Sequence, residues 1–99
     1  MPLESRFQAD FINQLHASFI GCEVLKNDSA LRQGIPDLLL LWERHWAMFE
    51  VKASANEPFQ PNQEFYINKL NKMSVALVVY PENMWEVIRA VQSAFGIGR

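Results

Sequence analysis

The apolar residues of this chain hold one spacing for a stretch and then switch to another, and the switches divide it into elements. Leu3, Phe7, Phe11, Leu15 and Phe19 recur at every fourth position, a stripe that drifts slowly around a helix turning about 100° per residue. This predicts a helix from Leu3 to Ile20, ended by Gly21. Glu23-Val24-Leu25-Lys26 reads as a first strand, and the polar run from Asn27 to Gly34 as a loop. Leu38 to Trp42 is one apolar run and His45 to Val51 nearly another; both are short and bounded by turn residues, as buried strands are. After an irregular loop from Ala53 to Gln60, Pro61 opens a second helix where its missing N–H is harmless. Gln63, Tyr66, Ile67 and Leu70 share one face of that helix. Val75 to Tyr80 reads as a central strand. Met84, Ile88, Val91 and Phe95 line a final helix, capped by Asn83 with Glu86 and stopped at Gly96. The order α-β-β-β-α-β-α describes an α/β chain whose helices pack on a mixed sheet of about four strands. Its last strand should run parallel to Met48–Lys52 through a right-handed crossover. Because the hairpin strands are apolar on both faces, the sheet is expected to be covered on both sides.

Three charges interrupt this apolar hairpin: Asp37, Glu50 and Lys52. With Glu43-Arg44 as a two-residue turn, Trp42 faces His45, Leu39 faces Met48 and Asp37 faces Glu50. Side chains alternate along a strand, so Glu50 and Lys52 point the same way, and the three charges meet at one end of the hairpin. Glu-Arg is not a favoured type I′ pair; a three-residue loop would instead set Asp37 opposite Val51. Opposed carboxylates repel, and burial makes each charge costlier. A shared proton, the Lys52 cation or a divalent metal would each relieve them. Oxygen-only donors suit a hard ion, Mg²⁺ or Mn²⁺ in its place.

Two other polar residues sit on apolar faces. Glu4 lies about 20° from the centre of the first helix stripe and so points at the sheet; it either serves the helix dipole or lies outside a Ser5-x-x-Gln8 capping box. Gln63 heads the buried face of the second helix at the end nearest Lys52, where it either caps the helix or bridges a carboxylate, water or phosphate. Lys26 stands at the start of the Asn27–Gly34 loop and Arg32 within it, and Lys69 and Lys72 lie on an outer helix face. These four are either solvated or in contact with a nucleic-acid backbone.

Gly34-Ile35-Pro36-Asp37 followed by Phe49-Glu50-Val51-Lys52 resembles the motif of the PD-(D/E)xK nuclease superfamily. With Gln63 opening a helix after Pro61, the chain is most similar to the virus-type replication-repair nuclease (VRR-NUC) branch, in its stand-alone, phage-like form. The resemblance runs over almost the whole chain and implies a restriction-endonuclease-like core, residues 1–99 forming one nuclease domain. It implies a Mg²⁺-dependent endonuclease acting on branched or junction DNA in replication, recombination or repair. Glu4, Asp37, Glu50 and the Val51 carbonyl would hold the metal. Asp37, Glu50, Lys52 and Gln63 would be the catalytic set, and Lys26, Arg32, Lys69 and Lys72 would touch DNA. Two rivals remain: a silent DNA-binding module that kept the fold, and a subunit active only within a larger assembly.

Composition narrows the setting. No apolar run approaches the ~20 residues of a membrane span, and the N-terminus lacks a signal-peptide pattern. The single cysteine, Cys22, cannot form an internal disulfide, so a cytoplasmic location is expected, the host's cytoplasm for a phage-encoded chain. The net charge of −2 argues against a passive nucleic-acid coat, and less against a nuclease, since one divalent ion would cancel it. Cutting both strands or resolving a junction needs two sites, so a two-fold homodimer is expected. Phe65 and Trp85, which fall off the core-facing helix stripes, would mark its surface.

Overall fold

The computed structural model describes residues 3–97. Helix α1 spans Leu3–Ser18, strand β1 Glu23–Lys26, β2 Leu38–Trp42, β3 His45–Val51, helix α2 Gln63–Met73, β4 Val75–Val79 and α3 Met84–Ala94, the last preceded by a 3₁₀ turn at Pro81–Asn83. The sheet order is β1-β2-β3-β4, with β1 and β2 each antiparallel to the next strand and β4 parallel to β3. The mixed four-stranded α/β sheet matches the sequence reading.

The hairpin register also agrees. Trp42 pairs with His45, Leu39 with Met48 and Leu38 with Phe49, which carries Asp37 to the level of Glu50. The two-residue turn closes although Glu-Arg is a poor turn pair, because Glu43 takes a left-handed backbone (φ 55°) at a cost of about 1–2 kcal/mol.

The two faces of the sheet differ. Leu38, Leu40, Ala47, Phe49, Val51 and Val79 point to one face and are fully buried there beneath α1 and α3. Phe11 meets Phe49 edge to face, with centroids 4.9 Å apart. His45 stacks on Phe95 at 4.7 Å, a strand-end packing role. The opposite face is covered by α2 over β3 and β4, leaving the β1–β2 half open: Leu25 is 48% and Leu41 39% exposed. The expectation of two covered faces therefore fails for half the sheet, because one eleven-residue helix is too narrow to shield four strands.

Element ends account for the other departures. Helix α2 begins at Gln63, because Asn62 takes a left-handed conformation (φ 70°) that helix cannot continue through; Pro61 lies in the preceding turn. Asn83 does not cap α3 with its side chain. Its amide turns back to the sheet, Oδ1 accepting from Tyr80 N–H at 2.8 Å and Nδ2 donating to the Val78 carbonyl at 3.1 Å. Gly96 (φ 83°) does end α3, with Ile97 N–H bonding the Gln92 carbonyl at 2.8 Å in a Schellman closure.

Candidate active site

The site is assembled from the end of the hairpin and the start of α2. Gly34, at φ 91°, packs so tightly on Asn62 that an added Cβ would lie 2.5 Å from the Asn62 Cβ. No side chain fits there, which gives the glycine before Ile35-Pro36-Asp37 a steric reason. Asn27 clamps the Pro36-Asp37 backbone: its N–H bonds the Asp37 carbonyl and its Nδ2 the Pro36 carbonyl, both at 2.8 Å. Asp37 is thereby aimed across β3, and its Oδ2 accepts the Val51 N–H at 2.8 Å.

Alternation along β3 sends Val51 into the core and Glu50 and Lys52 to the other face, where α2 and the loop after Lys52 bury both to 3% exposure. Gln63 joins them. Its Nε2 donates to Glu50 Oε2 at 3.0 Å, and its Oε1 accepts from Lys52 Nζ at 2.8 Å and from Gln60 N–H at 2.7 Å. Those partners fix which end of the amide is oxygen. The bridging reading of Gln63 is the one met: its side chain links the two charges, whereas among the described residues no side chain caps α2 and the Gln60 N–H it also accepts lies before the helix.

The Lys52 ammonium also donates to the Pro58 carbonyl at 3.3 Å and lies 3.8 Å from Glu50 and 3.6 Å from Glu57. Glu57 is held by the Ala53 N–H at 2.9 Å, which pulls its carboxyl below the usual range. The Glu4 carboxyl hydrogen-bonds Glu57 and is pushed up, by partial burial first and by Glu57 second. Glu50 is pushed up to about 8, by burial first and then by Asp37, with Lys52 opposing. Among the described residues Glu50 Oε1 is buried and no donor reaches it; the carboxyl meets that of Asp37 instead, in a contact that favours the protonated form.

An orphaned carboxylate oxygen is costly, and its surroundings fit a hard divalent cation. Asp37 stands beside it, and Val51's carbonyl faces the same side as its N–H, toward Asp37, as in any extended residue. Among the described residues no three His, Cys, Asp or Glu side chains already converge as a ligand cluster. Magnesium does not require one, because it commonly takes one or two carboxylates and completes its shell with waters and substrate phosphate.

No family model matches the sequence, and no curated protein matches it. Among solved structures, a VRR-NUC domain superposes with a TM-score of 0.74 at 26% identity, covering 90% of this chain and 97% of that domain. The chain is a VRR-NUC-like domain.

Placed in the VRR-NUC-like domain, the predicted site residues separate into groups. Asp37, Glu50, Lys52 and Gln63 form one hydrogen-bonded or ion-paired cluster through Val51 N–H and the Gln63 amide. Glu4 reaches its rim, close enough to influence Glu50 and to feel Asp37 and Lys52. Arg32 approaches, its guanidinium 3.5 Å from the Tyr66 hydroxyl one turn beyond Gln63. Lys26 pairs with Leu38 across the sheet, one residue from Asp37. Lys69 rests over the Phe65 ring at 5.8 Å. Lys72 lies in the last turn of α2, roughly 13 Å along the axis from Gln63. Glu57 and the Pro58 carbonyl were missed. They sit in an aperiodic loop, where spacing carries no information; the one available signal was an acid five positions after Lys52.

Proposed function

We propose that this chain is a divalent-metal-dependent DNA endonuclease. The observation that carries the reading is the buried Glu50 carboxyl set against that of Asp37, with no donor at its Oε1 among the described residues. Asp37, Glu50 and the Val51 carbonyl would hold Mg²⁺, or Mn²⁺ in its place, with Glu4 at the margin. When bound, the ion would supply positive charge at the phosphate and acidify the attacking water. The protein's own groups do the remaining work. The Lys52 ammonium offsets negative charge growing on the phosphate in the transition state. Gln63 holds Lys52 and Glu50 in fixed relation. Glu57 and the Pro58 carbonyl occupy Lys52's other donors, so the ammonium is positioned before substrate arrives. Lys26 and Arg32 would take backbone phosphates beside the cut, with Lys69 and Lys72 further along the strand.

Selection through backbone and shape is proposed, with branched DNA as substrate. A homodimer would supply the second cut. Phe65 at 57% and Trp85 at 54% exposure offer the apolar surface for it. Incubation with plasmid, single-stranded, flapped and four-way-junction DNA in Mg²⁺, Mn²⁺ or EDTA tests the reading. Cleavage in either metal that EDTA abolishes is expected; cleavage that persists in EDTA would overturn the metal assignment. A silent module would bind the same DNAs and cut none.

A further inference from the structure

A cavity of about 300 Å³ opens next to the site, lined by Leu3, Arg6, Phe7, Asp10, Ala53 and Pro81. It shares walls with the charged cluster: Ala53 follows Lys52 and Leu3 precedes Glu4, and consecutive Cα atoms are only about 3.8 Å apart. It lies at the carboxyl ends of the parallel strands β3 and β4, beside the first two turns of α1. Openings at the carboxyl ends of parallel strands are where α/β sheets commonly take ligands.

The lining is mixed in an informative way. Leu3, Phe7, Ala53 and Pro81 give apolar walls, and Leu3 is 72% exposed, so no core packing occupies it. Arg6 and Asp10 lie one helical turn apart on the same wall. Among the described residues neither makes an ion pair or a side-chain hydrogen bond. A site for phosphate alone would not carry a carboxylate. A mostly apolar opening with one strong donor and one strong acceptor instead matches the Watson–Crick edge of a nucleobase, which presents both. A paired base cannot enter such a slot, because its edge and both its faces are already engaged in the duplex.

We propose that this cavity receives an unpaired nucleobase adjoining the scissile phosphodiester, its ring against Leu3 and Pro81 and its edge between Arg6 and Asp10. The proposal rests on the nuclease reading and deepens it. The preferred DNA would be one with an unstacked nucleotide at the cut, as at a flap or branch, rather than intact duplex.

The test uses a flapped DNA with 2-aminopurine placed in turn at each position of the cut strand. The full chain carries Glu50→Gln, so that binding is read without turnover. One position should change fluorescence on binding. An abasic residue there should weaken binding at least about fivefold, the scale of one base contact. Arg6→Ala and Asp10→Ala, both at exposed positions, should abolish the fluorescence change and the abasic penalty together. If no position responds, or the response survives both substitutions, the proposal fails. If Arg6→Ala weakens binding while the abasic residue does not, Arg6 contacts phosphate and the base assignment is wrong. Cleavage by the unsubstituted chain in Mg²⁺ is measured separately. Cleavage without a fluorescence response sinks this proposal alone, and a response without cleavage sinks the nuclease reading alone.

Discussion

The two faces of one four-stranded sheet have been put to different uses. Beneath α1 and α3, alternate residues of β2 and β3 are apolar and fully buried, and aromatic rings from both helices close over them. Across the sheet, the intervening residues of the same strands carry Glu50 and Lys52, buried almost as deeply but among charges. Burial on the first face is stabilising, by about 25 cal/mol per Å² of apolar surface removed from water. On the second it opposes ionisation, and the discomfort is relieved only in part by Gln63, Lys52 and the Val51 N–H. A period of two lets a single strand build a core with odd residues and a reactive site with even ones.

Substitutions should separate the two faces. Asp37→Asn and Glu50→Gln should lower cleavage by about a thousandfold or more, as loss of a principal electrostatic group does, while leaving thermal stability unchanged or higher. Phe11→Ala should do the reverse, costing about 3–5 kcal/mol of stability with kcat retained in the folded fraction. Parallel activity assays and denaturation curves decide this. Unfolding of the Glu50→Gln protein would break the division.

Lys52→Ala should lower kcat by about a hundredfold or more while calorimetric Mg²⁺ affinity is largely kept, since Lys52 faces the carboxylates without being a ligand. Lost metal affinity with normal turnover at saturating metal would assign Lys52 to metal-site assembly instead.

The pH dependence sharpens the contrast further. Glu50 is raised to about 8 in the fold from an ordinary value of 4.5, so the folded state holds a proton that the unfolded chain releases. Its contribution is fully present below about pH 4.5 and is lost as pH rises through about 8. Metal-free protein should therefore lose thermal stability over that window. Mg²⁺ should restore more of it at the alkaline end, and Glu50→Gln should flatten the slope. A metal-free stability that rises toward pH 8 would contradict the assignment.

Gly34→Ala should be the site change that costs stability, by at least about 1–3 kcal/mol for a left-handed, crowded position, while changing activity least. It should cost activity beyond that loss, because the backbone it displaces is that of Asn62, next to Gln63. A variant whose kcat falls no more than its folded fraction would show that Gln63 tolerates the shift.

Much of this was legible in the sequence, for a definite reason. The hairpin register is set once the Trp42–His45 turn is placed, and that register alone brings Asp37, Glu50 and Lys52 together. Gln63 and Glu4 could be placed because helix faces repeat. The illegible parts lay outside any repeat. Glu57 comes from an irregular loop, the left-handed Asn62 delays α2 by two residues past Pro61, and the Asn83 amide turns toward the strand it comes after. The open half of the second face was misjudged because apolar residues at Leu25 and Leu41 look alike whether a helix covers them or not.

The close seating of Gly34 on Asn62 has a consequence in time. Asn62 also reaches the Gln33 carbonyl, 29 residues earlier in the chain, at 3.5 Å. The hairpin joins neighbours in sequence and can zip quickly, whereas this contact must wait for a long loop to close. Gln63 arrives with it. In refolding, strand and helix signals should therefore recover before catalytic competence does, and the cluster around Lys52 should be among the last parts of the molecule to take shape.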